Sequence, residues 1–190
     1  MATTPTRSLR ARFYTVDVFT DRIFGGNPLA VFPDAAKIPE EALQCIALEL
    51  NLSETVFVYP PTDAKHTRRV RIFTPTAELP FAGHPTLGTA SWLYWNHATL
   101  RGASQITLDL PGGPITVRFT QPMANEPGVF GTMRQKDPVF GEVHDRAALA
   151  AALNLSPDDL DPGLPAQTVS TGMAFCIVPL RSLDVAARLQ

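Results

Sequence analysis

The stretch of sequence that determines the fold is residues 71–90, RIFTPTAELPFAGHPTLGTA. It leads from an apolar strand, through a polar turn, into a helix. Pro85 fits the first position of that helix, because its missing N–H would have no partner there in any case. A helix is therefore predicted from Pro85 to about His97, with Gly83 and His84 in the turn that precedes it.

The start of this helix is a candidate binding site for an anion. The N–H groups of Thr86 and Leu87 are expected to point outward at the positive end of the helix, where they suit a substrate carboxylate or a developing oxyanion. His84 lies beside them and is placed either to donate to the same ligand or to transfer a proton. The alternative is that His84 is a surface cap and Gly83 only a turn.

Two earlier motifs carry further candidate residues. Glu54 follows Ser53 and opens an apolar strand predicted at 55–59, where apolar neighbours raise the pKa of a carboxyl group towards the range of a general acid or base. The alternative is a solvated glutamate at a strand end. Asn27, in the sequence GGNP (residues 25–28), either holds a ligand or only tolerates a left-handed turn.

The hydrophobic pattern predicts alternating strands and helices that are repeated in the second part of the chain. The first part has predicted strands at 13–19, 29–32, 55–59 and 69–73, helices at 39–50 and 85–97, and a hairpin at 105–119. After a polar segment at 121–128, strands are predicted at 129–133, 167–170 and 174–178, and helices at 146–153 and from Ser182. We therefore predict a flexible N-terminus (1–11), a first domain (12–122) and the beginning of a second, incomplete domain (123–190).

Composition excludes several classes of function. The chain has 16 basic and 18 acidic residues, so it lacks the positive charge that nucleic-acid binding requires. No apolar run approaches the roughly 18 residues of a membrane-spanning helix, and the N-terminus lacks the apolar core of a secretion signal. A cytoplasmic protein without nucleic-acid or membrane partners is expected.

No metal or cofactor is expected either. Cys45 and Cys176 lie in apolar stretches typical of small buried side chains, and two cysteines alone form no zinc site. His66, His97 and His144 lack the spacing of metal ligands. Neither glycine pair, at 25–26 or at 112–113, matches a nucleotide-binding fingerprint.

Three stretches taken together resemble the PhzF-like family of phenazine biosynthesis proteins. They are YTVDVFTDRIFGGNPLAVF (14–32), LNLSETVFVYP (50–60) and the stretch at 71–90. The resemblance is strong from Phe13 to about Ala90 and looser through VSTGMAFCIVPL (169–180). It implies an α+β, diaminopimelate-epimerase-like fold, in which two similar domains each wrap a sheet round a central helix, with the active site between them.

The resemblance also implies cofactor-independent isomerase chemistry on a small carboxylated substrate. Glu54 matches the general acid/base of the family, and Gly83 and His84 match its substrate-holding turn. Asn27, Ser53 and Thr86 are expected to bind the substrate as well, and the protein is expected to be a homodimer. Related racemases carry a cysteine where this chain has Ala82, which excludes a two-thiol proton exchange.

A second function remains open. The second domain of the family carries a motif of the form Asp-Pro-x-Thr-Gly-Ser, which does not occur in these 190 residues. The chain is expected to be either a fragment of an isomerase or a truncated, non-catalytic binding or interaction protein that keeps half of the cleft. In both cases the chain alone is expected to be inactive and either oligomeric or poorly soluble.

Overall fold

A computed structural model describes residues 9–120 and 128–189 of the chain. The described residues form two compact units that divide between Arg134 and Gln135. The predicted boundary at 122/123 and most of the predicted flexible N-terminus lie outside the described residues. None of the described helices is long and apolar enough to cross a membrane.

The first unit contains a mixed sheet of eight strands. The strands are β1 (Tyr14–Val18), β2 (Asn27–Phe32), β3 (Glu54–Tyr59), β4 (Arg68–Phe73), β5 (Glu78–Leu79), β6 (Gln105–Leu110), β7 (Gly113–Phe119) and β8 (Gly131–Met133). Their order is β1-β2-β3-β4-β6-β7-β8, and β5 pairs with β4. The pairs β2/β3 and β4/β6 are parallel and the others antiparallel. The predicted strands of this unit and the β6–β7 hairpin are confirmed, whereas the short strand β5 was not predicted.

A central helix, α2 (Gly83–Asn96), lies along one face of this sheet. It contacts β1 and β2 near one end of the strand order and β7 and β8 at the other, so the sheet curls round it. Gly88 makes this approach possible, because a Cβ atom there would lie 2.6 Å from Val18 Cγ2 and 2.8 Å from Leu29 Cδ2. The absence of a side chain at Gly88 therefore lets α2 lie close to β1 and β2.

The helix begins two residues earlier than predicted. Ala82 is extended and serves as the N-cap, and both the amide and the hydroxyl of Thr86 bond to its carbonyl, at 3.4 and 2.7 Å. Pro85 is consequently the third helical residue and not the first. The prediction that the N–H of Thr86 points outward is wrong, because that group makes the first hydrogen bond of the helix.

The opposite face of the sheet is covered by α1 (Glu40–Leu50). As predicted, Asn51 closes this helix, and it does so in the left-handed conformation with φ 51°. Pro39, predicted as its first residue, is the N-cap. Successive side chains of β3 point to opposite faces of the sheet. Val56 and Val58 pack in the core under α2, and Phe57 packs in the core under α1. Burial on both faces explains the uninterrupted apolar sequence of this strand.

The second unit has a three-stranded antiparallel sheet in the order β11-β10-β9. Its elements are β9 (Val139–Val143), α3 (Arg146–Ala152), β10 (Gln167–Ser170), β11 (Ala174–Ile177) and α4 (Leu183–Ala186). The strand β9 was not predicted. The predicted helices at 146–153 and from Ser182 are confirmed, and Asp145 and Ser182 cap them with their side chains.

The prediction that both cysteines are buried is wrong, because both thiols are exposed. Cys45 lies on α1 between Leu43 and Ala47, which are four residues apart and form the buried side of that helix. A residue two positions from each points away from that side. Cys176 lies on β11, where all four residues are exposed.

Candidate active site

Four of the six predicted site residues meet at one end of the first unit's sheet. Asn27 begins β2, Ser53 immediately precedes β3 and Glu54 is its first residue. Because β2 and β3 are parallel and pair Leu29 with Glu54, the starts of both strands lie at the same edge. The first turn of α2 brings His84 to this edge.

These four side chains form a continuous chain of polar contacts. The Ser53 hydroxyl donates to Asn27 Oδ1 at 3.1 Å. The amide nitrogen of Asn27 lies 3.2 Å from His84 Nδ1. The other ring nitrogen, His84 Nε2, lies 3.3 Å from Glu54 Oε2. The sequence predictions thus converge on one site, although the residues come from three separate stretches.

The end of this chain is shielded from solvent. The side chain of His84 is 8% exposed and that of Glu54 17%. Among the described residues, Glu54 Oε2 and His84 Nε2 are buried atoms without a well-directed hydrogen bond to another protein group. They face each other at 3.3 Å.

Burial shifts both groups towards their neutral forms. It raises the pKa of Glu54 above 4.5. It also lowers the pKa of His84 below 6.5, and a hydrogen bond with the backbone of Pro28 opposes only part of this effect. A close ion pair would shift both values in the opposite directions, but desolvation dominates here.

The start of α2 adds two hydrogen-bond donors. The amides of Gly83 and His84 precede the first helical hydrogen bond, so neither has an acceptor within the helix. Thr86, by contrast, is fully buried and its hydroxyl is bound to Ala82. The prediction that Gly83 and Thr86 contact a substrate stays a prediction, and the outward-facing donors are one turn earlier than expected.

An apolar loop beside the site was not predicted from the sequence. The ring centroid of Phe19 lies 6.5 Å from that of His84, and the rings of Phe19 and Phe24 are 73% and 94% exposed. Both residues have positive φ, 65° and 63°, which is rare for bulky side chains. Asp17 accepts a hydrogen bond from the Phe24 amide at 2.8 Å. The sequence signal was only a turn before two glycines.

Neither metal-ligating side chains nor the cavity of the second unit adds a candidate centre within residues 9–120 and 128–189. No group of three His, Cys, Asp or Glu side chains in residues 9–120 and 128–189 is arranged to hold a metal ion. A cavity of about 260 Å³ in the second unit contains none of the predicted site residues. Arg146 lines this cavity, and its guanidinium group donates hydrogen bonds to the carbonyls of Pro157, Leu160 and Asp161. This arrangement stabilises the turn and leaves little capacity for a ligand.

Comparison with known proteins identifies relatives that match most of the chain. The family described as "Phenazine biosynthesis-like protein" matches residues 16–190. An uncharacterized isomerase of Mesorhizobium japonicum is 39% identical over 177 residues, which cover 92% of this chain and 57% of that protein. The trans-2,3-dihydro-3-hydroxyanthranilate isomerase of Pseudomonas fluorescens is 35% identical, over 93% of this chain and 60% of that protein.

A solved structure shows the same fold. The predicted epimerase from Pseudomonas aeruginosa matches with a TM-score of 0.81 and 35% identity, over 95% of this chain and 63% of that one. The predicted α+β, epimerase-like fold is thereby confirmed. The chain spans about 60% of the length of these relatives.

Proposed function

The chain belongs to the family of phenazine biosynthesis-like proteins, and from this membership we propose a cofactor-independent isomerase in which Glu54 moves a proton. The observation that carries the proposal is the Glu54–His84 pair, in which an oxygen of a shielded carboxyl group lies 3.3 Å from an imidazole nitrogen. Two sequence relatives are named as isomerases. This supports the same class of reaction here.

The proposed chemistry needs only proton transfer. The Glu54 carboxylate takes a proton from a substrate carbon: the C–H bond breaks, an O–H bond forms, and the electron pair spreads over the substrate's unsaturated system. Neutral Glu54 then returns a proton to a different carbon, and the double bonds move accordingly. A carboxyl group whose pKa is raised by burial is a stronger base than an ordinary one in the first step, because it binds the transferred proton more tightly.

The start of α2 is suited to hold the negative charge of the substrate. The amides of Gly83 and His84 point along the positive end of a helix of 14 residues, where a carboxylate is stabilised by both the donors and the helix dipole. A substrate carboxylate in this position lies beside Glu54. The substrate class proposed is therefore a small carboxylated molecule with an acidic C–H bond.

The name of the Pseudomonas fluorescens relative supplies the first compound to test, trans-2,3-dihydro-3-hydroxyanthranilate. Its conversion is followed by proton NMR in buffer without added cofactor. We expect turnover by the wild-type protein and a loss of about 10²- to 10⁴-fold in the Glu54→Gln variant, the usual contribution of a general acid/base. Glutamine keeps the size and the hydrogen bonding but cannot take the proton.

The matched control is Glu49→Gln, which makes the same chemical change at an exposed glutamate of α1. Circular dichroism establishes that both variants are folded. A folded Glu54→Gln protein with unreduced turnover contradicts the assignment. Binding of the compound by wild type without any turnover favours the alternative, a binding protein that retains the cleft.

A further inference from the structure

The loop between β1 and β2 (residues 19–26) carries two phenylalanines in an unfavourable backbone conformation. Phe19 and Phe24 have φ angles of 65° and 63°, in the left-handed region that bulky side chains rarely adopt. The other non-glycine residues with positive φ in the described chain are Asn51 and Asn154, and asparagine tolerates this region. Because Phe19 is 73% exposed and Phe24 94%, burial of the rings does not offset the strain.

A hydrogen bond and close packing hold this loop in place. The amide of Phe24 donates to Asp17 Oδ2 at 2.8 Å. Gly26 lies so close to β1 that a Cβ atom there would be 2.3 Å from the carbonyl oxygen of Val18. The loop therefore keeps its rings exposed in a defined backbone conformation, and strain of this kind is concentrated at functional sites.

One of the two rings lies at the candidate active site. The ring centroid of Phe19 is 6.5 Å from that of His84, with 57° between the ring planes, which is within the range of aromatic pairs. His84 Nε2 in turn lies 3.3 Å from Glu54 Oε2. Phe19 and Glu54 are thus both neighbours of one imidazole ring, and most of the Phe19 side chain remains exposed to solvent.

The proposed reaction determines what such a ring would contact. A double bond moves along the substrate, so the substrate has an unsaturated, flat carbon skeleton in addition to its carboxylate. With the carboxylate at the start of α2, this skeleton extends beside His84 and Glu54. An aromatic ring pairs better with a flat unsaturated group than with a saturated group of the same size, because two π-systems attract each other in offset or tilted arrangements.

We propose that Phe19 is a specificity-determining residue, whose exposed ring packs against the unsaturated skeleton of a carboxylate bound at the start of α2 and selects it over a saturated one. This inference rests on the proposed function for the position of the substrate. It also gives a reason for the strained loop. A glycine at position 19 would adopt the same φ without strain, but it would lack the ring.

Benzoate and cyclohexanecarboxylate test the proposal, because both have a carboxylate on a six-membered ring and only benzoate is unsaturated. Their dissociation constants are measured at neutral pH by NMR titration of the ¹⁵N-labelled chain. We expect wild type to bind benzoate about 2- to 10-fold more tightly than cyclohexanecarboxylate, the usual contribution of an aromatic pair beyond its contact area. Phe19→Leu keeps an apolar side chain but removes the flat ring, so this preference should disappear.

The matched control is Phe24→Leu, which makes the same change in the same loop, also at a positive φ. It should leave the preference for benzoate unchanged. A nuclear Overhauser effect between benzoate and a phenylalanine ring is expected in wild type and in Phe24→Leu, but not in Phe19→Leu. An unchanged preference in folded Phe19→Leu overturns the proposal, and so does loss of the preference in Phe24→Leu. Wild type that binds neither carboxylate, or binds both equally, also overturns it.

A third variant, Phe19→Gly, separates a contact with the ligand from a structural role of the ring. Glycine adopts a positive φ without strain, so the urea midpoint of this variant should be at or above that of wild type, while the preference for benzoate is lost. A midpoint clearly below that of wild type would mean that the ring stabilises the folded chain, and it would overturn the reason given for the strained loop.

The result is separable from the isomerase assignment, because binding of benzoate needs no proton transfer. Glu54→Gln is therefore expected to keep the preference. Unreduced turnover in Glu54→Gln, with the preference present in wild type and lost in Phe19→Leu, removes the proposed function of Glu54 alone. Turnover that Glu54→Gln abolishes, with no preference between the two carboxylates in wild type, removes the specificity role of Phe19 alone.

Discussion

Strands β3 and β11 have similar apolar sequences but very different environments. Residues 55–58 of β3, TVFV, are all buried, whereas residues 174–177 of β11, AFCI, are all exposed. The strand β3 lies between β2 and β4 and has a helix on each face. The strand β11 is at the edge of a three-stranded sheet. Apolar composition therefore indicates what a strand can bury, and its neighbours decide whether it does.

The largest expected effect comes from removing one aromatic ring from each strand. Phe57 is fully buried, and its ring centroid lies 5.0 Å from that of Phe32 and 5.4 Å from that of Phe73. Phe57→Ala should therefore lower the free energy of unfolding by about 3–5 kcal/mol. Phe175 is 58% exposed, so Phe175→Ala should change the free energy of unfolding by no more than about 0.5 kcal/mol.

Urea unfolding followed by far-ultraviolet circular dichroism, which detects both units, measures the two variants. A Phe175→Ala variant as destabilised as Phe57→Ala would contradict the difference in burial between β11 and β3. It would mean that the exposed face of β11 is covered in solution, for example by a second copy of the chain.

A smaller effect is expected where α2 approaches the sheet. In Gly88→Val, the new side chain meets Val18 and Leu29 at distances that a normal contact does not allow, so the variant should be less stable by about 1–3 kcal/mol. Gly128 has no atom within 4 Å of a built Cβ, and Gly128→Ala is the control. Equal unfolding midpoints for the two variants would show that α2 does not lie as close to β1 and β2 as described.

The smallest expected effect on stability is that of the buried carboxylate, and it depends on pH. The pKa of Glu54 is raised by burial in the folded chain, so the folded state binds this proton more tightly than the unfolded state. Wild type therefore loses stability as the pH rises from the ordinary value of 4.5 through the raised one. Glutamine does not titrate, so Glu54→Gln should be the more stable protein above this window.

This prediction is measured by urea unfolding at several pH values, with Glu49→Gln as the exposed control. The stability difference between Glu54→Gln and wild type should grow with pH and then level off. A difference that is constant with pH, or that falls, would mean that burial does not raise the pKa of Glu54.

Much of the first unit was predictable because its patterns are local. The helical spacing of apolar residues, with Pro39 before it and Asn51 after it, predicts α1. The Gly/Pro turn between two alternating runs predicts the β6–β7 hairpin. The candidate site was predictable as residue types only: Glu54 and His84 were each ambiguous alone, and it was the order of three motifs, resembling a known family, that placed them together.

The remaining features depend on contacts that no local pattern encodes. The start of α2 is set by the bonds from Thr86 to Ala82, which replace the expected role of Pro85. The sequence VFGEV of β9 contains a glycine and forms a strand only because β10 pairs with it. Cys176 is exposed because neither α3 nor α4 packs closely on the faces of β11, and its apolar neighbours in sequence gave the opposite indication.

The pH dependence of kcat/KM for trans-2,3-dihydro-3-hydroxyanthranilate tests the central claim, that a buried carboxylate is the base, most directly. A base must be ionised to take a proton, so kcat/KM should rise with pH along a limb whose midpoint is the pKa of Glu54 in the free protein. Because burial raises that pKa, the account predicts a midpoint above 4.5, the ordinary glutamate value. A rate that does not rise with pH, or a midpoint at or below 4.5, would contradict it.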